Sequence, residues 1–183
     1  MGLPATAEVW LGHGASGGPE TMQRYLRALA KRGLKAHALK LPRGAAQRAM
    51  TPLREQVGEG LPSAVIGGHS FGGRVASLVA AETPPAGLVL LSYPLHRPGH
   101  PEELRTEHWP EIACPVLLLS GDRDQFARVD LLRESVTLLH RAELHVYPGL
   151  RHGLTSVADD VAERIAAFVG PLAHPEPSTR SRR

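Results

Sequence analysis

The chain has 183 residues, of which 42% are hydrophobic and 21% are charged, and these values suit one globular domain and exclude a chain that is disordered throughout. The formal net charge is +3, but the three arginines and one glutamate after residue 170 supply +2 of it, so the body is nearly neutral and gives no sign of a nucleic-acid surface. No hydrophobic run approaches the roughly 20 residues of a membrane span, and the start of the chain lacks a signal-peptide pattern, so we expect a cytoplasmic protein with neither a membrane nor a nucleic-acid partner.

Six short hydrophobic runs predict β-strands in chain order. They cover residues 7–12, 34–41, 64–68, 87–92, 115–120 and 142–147. Three of them, at 64–68, 87–92 and 115–120, are nearly continuous, which is typical of strands buried on both faces of a sheet. The last run alternates hydrophobic with polar residues, which favours an edge strand.

Helical periodicity separates these runs. Helices are predicted at 22–29, from 51 to about 58, directly after 70, at 129–139 and at 157–168, the last with Ser156 as N-cap. Alternating strands and helices predict an α/β fold, a mostly parallel sheet with helices on both faces. We expect one domain over 1–170 and a disordered, arginine-containing tail over 171–183. The segment 94–111 is long enough to form a flap.

The strongest chemical signal is Gly68-His69-Ser70-Phe71-Gly72, which follows a predicted buried strand and begins a predicted helix. A serine at such a sharp turn has a strained backbone, and only small residues fit two positions before and two after it. Ser70 is therefore the candidate nucleophile. The alternative is a glycine-rich turn that only tightens the packing of the helix on the strand.

A serine nucleophile needs a base, and a histidine base needs an orienting carboxylate. Asp122 and Asp124 both follow the run 115–120 and lie at the same predicted sheet edge as Ser70. We favour Asp124, because it stands three residues past Gly121 and reaches further into the loop. Asp122 fits a turn residue that binds its own backbone.

The candidate base is His152, one of ten histidines in the chain. It lies in a glycine-flanked loop between the last predicted strand and the last predicted helix, and so at the same edge as Ser70. His140 ends a helix, His145 lies on a strand and His174 belongs to the predicted tail. The order serine, aspartate, histidine, each after a strand, then follows along the chain.

The glycine-rich segment 11–18 lies between the first predicted strand and the first predicted helix. Catalysis at a carbonyl needs donors for the developing oxyanion, and we predict that the backbone N–H groups of Ala15 and Phe71 supply them. The alternatives are an anion-binding loop or a merely flexible one. Its glycines match a dinucleotide-binding spacing only loosely, and no acid ends the second strand, so we expect no nucleotide cofactor.

No metal is expected either. His96, His100 and His108 lie in a proline-rich segment without a helix to hold them at ligand spacing. The single cysteine, Cys114, is interpreted as a small buried hydrophobic residue rather than a catalytic thiol.

Taken together, these segments resemble the α/β-hydrolase superfamily, and within it the small dienelactone-hydrolase-like branch, from about residue 8 to 169. The resemblance implies a minimal α/β-hydrolase fold with about six strands and no cap domain. It also implies Ser70 as nucleophile, His152 as general base and then acid, and Asp124 as orienting acid. Two features differ: dienelactone hydrolases carry cysteine in place of Ser70, and the sheet begins at what would be the family's third strand.

The function predicted from these features is that of an esterase-like serine hydrolase acting on a small acyl or ester substrate through an acyl-enzyme. Acyl transfer and cofactor-free perhydrolysis use the same triad and stay open. The rival is a catalytically silent hydrolase-fold binding or scaffold protein. Four arginines lie in loops expected near the site and either attract an anionic substrate or are ordinary solvated residues: Arg43, Arg97, Arg123 and Arg151.

Overall fold

The computed structural model describes residues 7–172. In this range six strands form one parallel sheet in the order β2-β1-β3-β4-β5-β6: β1 (Val9–Gly12), β2 (Ala36–Leu39), β3 (Val65–His69), β4 (Gly87–Leu91), β5 (Val116–Gly121) and β6 (Ala142–Tyr147). The α-helices are α1 (Gln23–Ala30), α2 (Ala46–Val57), α3 (Phe71–Glu82), α4 (Val129–Ser135) and α5 (Ala158–Leu172). The predicted fold class, a six-stranded parallel sheet with helices, is confirmed.

Each central strand sends alternate side chains to opposite faces of the sheet. Ile66 and Leu90 belong to the core under α2 and α3, whereas Val65 and Leu91 belong to the core under α1 and α5. Successive residues of a strand point to opposite faces, so a strand covered on both sides must be hydrophobic at nearly every position. This explains why β3, β4 and β5 are nearly continuous hydrophobic runs in the sequence.

The strand order reverses direction at β1, which lies between β2 and β3. Ligands of open α/β sheets bind in the crevice at the carboxyl ends of the strands, where the order reverses. The glycine-rich segment follows β1, and Ser70 follows β3. The topology thus brings these two segments together at that crevice.

Helix α2 differs from the prediction, because it begins at Ala46 rather than near Thr51 and contains Pro52 in its interior. Proline removes one helical hydrogen bond. The burial of Ala49, Met50 and Leu53 offsets that loss. The proline therefore does not mark the start of this helix.

The start of α5 also differs from the prediction. Ser156 lies inside a short 3-10 helix, Thr155–Val157, and no side chain caps that turn. The turn itself stacks on α5 and tightens its entry, as 3-10 segments commonly do at helix ends. Ser156 is therefore not the N-cap.

Helix α5 continues to Leu172, two residues beyond the boundary predicted for the domain. The rest of the predicted tail, 173–183, lies outside the described residues. Among the helices of 7–172, none combines the length and the apolar character needed to cross a bilayer.

Cys114 is 4% exposed and belongs to the core under α2 and α3, so its interpretation as a buried hydrophobic residue is confirmed. Burial raises the pKa of its thiol to about 11. The thiol is therefore protonated at neutral pH and a poor nucleophile.

Candidate active site

Ser70 occupies a sharp turn between β3 and α3, with φ 51° and ψ −113°. A positive φ is strained for a residue with a side chain. The turn also passes very close to β1. A Cβ atom at Gly68 would lie 2.3 Å from the carbonyl oxygen of Gly12, and one at Gly72 would lie 2.3 Å from the same oxygen. Glycine at these two positions is therefore a steric requirement.

The structure brings Ser70, Asp124 and His152 into one hydrogen-bonded row. Ser70 Oγ lies 2.8 Å from His152 Nε2, and His152 Nδ1 lies 2.8 Å from each carboxylate oxygen of Asp124. A carboxylate can only accept, so His152 Nδ1 carries the proton and Nε2 is left to accept from the Ser70 hydroxyl. The histidine is thus held in the tautomer that can remove a proton from serine.

The Asp124 side chain is completely buried. Its Oδ1 also accepts a hydrogen bond from the backbone N–H of Phe126, at 2.8 Å. The Phe126 ring packs against the imidazole of His152, with 4.3 Å between ring centroids. Asp124 and Phe126 together fix the position of His152 from two sides.

Asp122 has a different partner from the predicted one. Its Oδ1 accepts from the backbone N–H of Gly149 at 2.7 Å, rather than from its own turn. The backbone N–H of Arg123 donates to the carbonyl of Leu150 at 2.9 Å. These bonds fasten the loop after β5 to the loop that carries His152, so Asp122 positions the two loops.

His69 also contributes to the site, a role that the serine motif alone does not predict. Its Nε2 donates to the backbone carbonyl of His152 at 2.7 Å. Burial lowers the pKa of His69, so the ring is neutral at pH 7. The contact joins residues 83 positions apart, so no local sequence pattern predicts it.

The predicted oxyanion residues Ala15 and Phe71 line one cavity together with Ser70 and His152. His13 braces the segment that carries Ala15: its Nδ1 donates to the Gly14 carbonyl at 2.8 Å, and its Nε2 accepts from the backbone N–H of Leu41 at 3.1 Å. The His13 carbonyl in turn accepts from the N–H of Gly72 at 3.0 Å. These bonds hold the segment against the start of α3.

The cavity at the sheet edge has a volume of about 620 Å³. Segment 94–111 packs against the body of the protein, and its residues Pro94 and Arg105 form one wall of the cavity. The Tyr93 hydroxyl holds that wall by donating to the carbonyl of Arg105 at 2.6 Å. The segment that is long enough to form a flap therefore contributes one wall of the cavity in this structure.

The three histidines of that segment have separate partners. His96 Nε2 accepts from the backbone N–H of Arg128, and His108 Nε2 lies 2.8 Å from Ser77 Oγ. His100 lies beside Glu102 on the surface. They do not form a common ligand set.

None of the four arginines singled out from the sequence lines the cavity, and Arg97 forms an ion pair with Glu103. The arginines that do line it are Arg74 and Arg105. Arg74 was overlooked because it lies on a helix, four residues after Ser70, rather than in a loop.

Two half-buried histidines, His69 and His108, predict a dependence of stability on pH. Burial lowers the pKa of both His69 and His108. Below about pH 6.5 an unfolded histidine takes up a proton that the folded one resists, so stability falls as the pH falls through that value. We expect a lower free energy of unfolding at about pH 5.5 than at about pH 7, measured by urea titration, and a shallower decline in His108→Gln. Equal slopes in the two proteins would contradict this account.

A parallel sheet with a serine, histidine and aspartate aligned at its carboxyl edge is the architecture of α/β hydrolases. Residues 5–165 match a family model described as "Alpha/beta hydrolase domain". The chain therefore belongs to the α/β-hydrolase family. The narrower dienelactone-hydrolase-like placement stays a prediction.

One curated relative is the non-heme haloperoxidase of Rhodococcus erythropolis, which is 39% identical over 66 residues. That stretch covers 35% of this chain and 24% of the relative, so the match spans about a quarter of the relative's length.

Solved structures resemble the fold over most of its length. A membrane phospholipase A described as a bacterial virulence factor gives a TM-score of 0.77 at 17% identity and covers 92% of this chain and 80% of its own. The monoacylglycerol lipase of Paleococcus ferrophilus gives 0.75 at 16% identity and covers 90% and 95%. At these identities the likeness concerns the fold alone.

Proposed function

We propose that the protein is a serine hydrolase that cleaves a carboxylic ester or a related acyl bond. The observation that carries this proposal is the row of hydrogen bonds from Ser70 through His152 to the fully buried Asp124. A hydroxyl, a histidine in the accepting tautomer and an orienting carboxylate are the parts needed to activate a serine. A merely structural turn has no need of all three.

In the proposed first step, Ser70 Oγ attacks the carbonyl carbon of the substrate while His152 Nε2 takes the hydroxyl proton. Asp124 stabilises the positive charge that forms on the imidazole. The carbonyl π-electrons move to its oxygen, and His152 then delivers its proton to the leaving alcohol as the acyl-enzyme forms. Water activated by His152 attacks the acyl-enzyme in the second step and releases the acid.

The negative oxygen of each tetrahedral intermediate is proposed to lie on the backbone N–H groups of Ala15 and Phe71. Phe71 begins α3, so its N–H belongs to the first turn of a helix, where backbone donors lack intrahelical partners. His13 holds the Ala15 segment in place through three hydrogen bonds. Such fixed donors stabilise the developing charge without reorganisation during the reaction. This chemistry calls for no metal or organic cofactor.

The test is covalent labelling with a fluorophosphonate, which reacts with activated serines. We expect the wild-type protein to be labelled, and Ser70→Ala and His152→Ala to remain unlabelled while keeping the wild-type circular dichroism spectrum. p-Nitrophenyl esters of short and medium acids, assayed in parallel, give the turnover. A folded wild-type protein with neither labelling nor turnover would overturn the proposal and favour the hypothesis of a catalytically silent scaffold protein.

The match to a non-heme haloperoxidase favours perhydrolysis as a second candidate activity. Hydrogen peroxide would attack the same acyl-enzyme in place of water, and the products would be a peracid and the free Ser70 hydroxyl. The assay adds hydrogen peroxide to an ester or a carboxylic acid and measures peracid formation. Peracid formed by wild type but not by Ser70→Ala supports this candidate, and hydrolysis alone contradicts it.

A further inference from the structure

Two arginine side chains face the active-site cavity. Arg74 lies on α3, four residues after Ser70, and Arg105 lies in the segment between β4 and β5. The 15 residues lining the cavity include these two arginines and two histidines but no aspartate or glutamate. The lining of the cavity is therefore cationic at neutral pH.

Arg74 lacks the partners that other arginines of the molecule have. Its Nε atom is sealed from solvent and has no hydrogen-bond partner within residues 7–172. Arg54 and Arg97, by contrast, form ion pairs with Glu82 and Glu103. A buried donor without an acceptor is uncommon and costs stability, so its retention beside the cavity needs an explanation.

Arg105 is also poorly compensated. Its Nη1 makes one long hydrogen bond, 3.4 Å, to the carbonyl of Pro94. Burial lowers the pKa of Arg105, and the positive charge of Arg74 lowers it further. The nearby carboxylate of Glu103 accepts two hydrogen bonds from Arg97, at 2.9 and 2.6 Å. Two positive charges thus lie half-buried in the lining of the cavity. A bound anion would offset both the cost of burying them and their mutual repulsion.

We infer that Arg74 and Arg105 bind an anionic oxygen group of the substrate, a carboxylate or a phosphate, next to Ser70. Guanidinium groups bind such groups through paired, charge-assisted hydrogen bonds. The inference also names the substrate class: the natural substrate is then an acidic ester rather than a neutral one. This part of the inference rests on the proposed function. The anion site itself depends only on the two guanidinium groups and the cavity.

The first experiment measures binding without turnover. Glutarate and inorganic phosphate are titrated calorimetrically into Ser70→Ala and into the same protein carrying Arg74→Gln and Arg105→Gln. We expect the double replacement to weaken binding at least about 10-fold, since charge-assisted hydrogen bonds are lost. The tighter ligand of the two identifies the kind of anion. Arg43→Gln removes an exposed arginine that does not line the cavity, and this matched control should bind normally.

The second experiment measures kcat/KM for charged esters and their neutral counterparts. p-Nitrophenyl hemiglutarate is compared with p-nitrophenyl pentanoate, and the butyrate ester of glycolic acid with ethyl butyrate, so that the acid lies on either side of the ester. We expect the enzyme to prefer one charged ester by about 10- to 100-fold. Arg74→Gln/Arg105→Gln is expected to lose that preference, because kcat/KM falls more for the charged ester than for its neutral counterpart.

The outcomes separate the two proposals. Arginine-dependent binding without cleavage of any ester supports the anion site and overturns ester hydrolysis. Cleavage of neutral and charged esters at equal rates, with no binding of glutarate or phosphate, overturns the anion site and leaves the hydrolase. Thermal melts of every variant establish that a loss of binding is not a loss of folding.

Discussion

Asp124→Asn is expected to lower kcat for ester hydrolysis about 10,000-fold, as the loss of the orienting carboxylate does in serine hydrolases of this design. The carboxylate accepts a hydrogen bond from the N–H of His152 Nδ1 at 2.8 Å and is completely buried. An asparagine amide can instead donate to Nδ1, which moves the ring proton to Nε2. The nitrogen that faces Ser70 would then be a donor and unable to take its proton. The measurement is kcat for a p-nitrophenyl ester together with the rate of fluorophosphonate labelling.

The matched control is Asp122→Asn. Asp122 stands two residues away in the same loop and accepts one hydrogen bond, from the backbone N–H of Gly149 at 2.7 Å. An asparagine keeps a carbonyl oxygen for that donor, so we expect kcat within a few-fold of the wild type. If both variants lose activity equally, or if Asp124→Asn loses less than 10-fold, Asp124 is not the orienting acid.

The limits of the strands could be predicted closely because burial on both faces requires consecutive hydrophobic residues. β3, β4 and β5 are covered on both faces, so the sequence there is nearly continuously hydrophobic, and the predicted limits lie within one or two residues of the observed ones. The start of α2 could not be predicted in the same way. The local sequence predicts Pro52 to lie in the first turn of a helix. Only the packing of α2 against α3 shows that the helix begins before the proline and continues beyond it.

The row of Ser70, Asp124 and His152 could be predicted as a set because parallel strands end at one edge of the sheet. Each residue follows a strand, so its place at that edge depends on topology rather than on detailed packing. Arg74 and Arg105 are different. They lie 31 residues apart, on a helix and in an irregular segment, and only the folded chain shows that both line the cavity. The hydrogen bond from His69 to the His152 carbonyl is likewise a product of the tertiary structure.

Gly67→Ala is expected to destabilise the fold by about 3 kcal/mol or more, because overpacking against rigid backbone cannot be relieved by a side-chain rotation. Gly67 pairs with Val89 in the middle of the sheet, and a Cβ atom there would lie 2.0 Å from the Val89 carbonyl oxygen. The methyl group must push β3 away from β4, and it does so three residues before Ser70. The check is the urea midpoint followed by circular dichroism, with fluorophosphonate labelling at low denaturant.

Gly60→Ala is the opposite control for the same substitution. Gly60 lies exposed in the short 3-10 helix Gly58–Ser63 with open space around its would-be Cβ atom, and alanine at a position that it can adopt without strain stabilises a protein by up to about 1 kcal/mol. We therefore expect a urea midpoint equal to or above that of the wild type. A Gly67→Ala protein with the wild-type midpoint would show that β3 and β4 are further apart than the structure has them, and the tight turn that presents Ser70 would then need a different explanation.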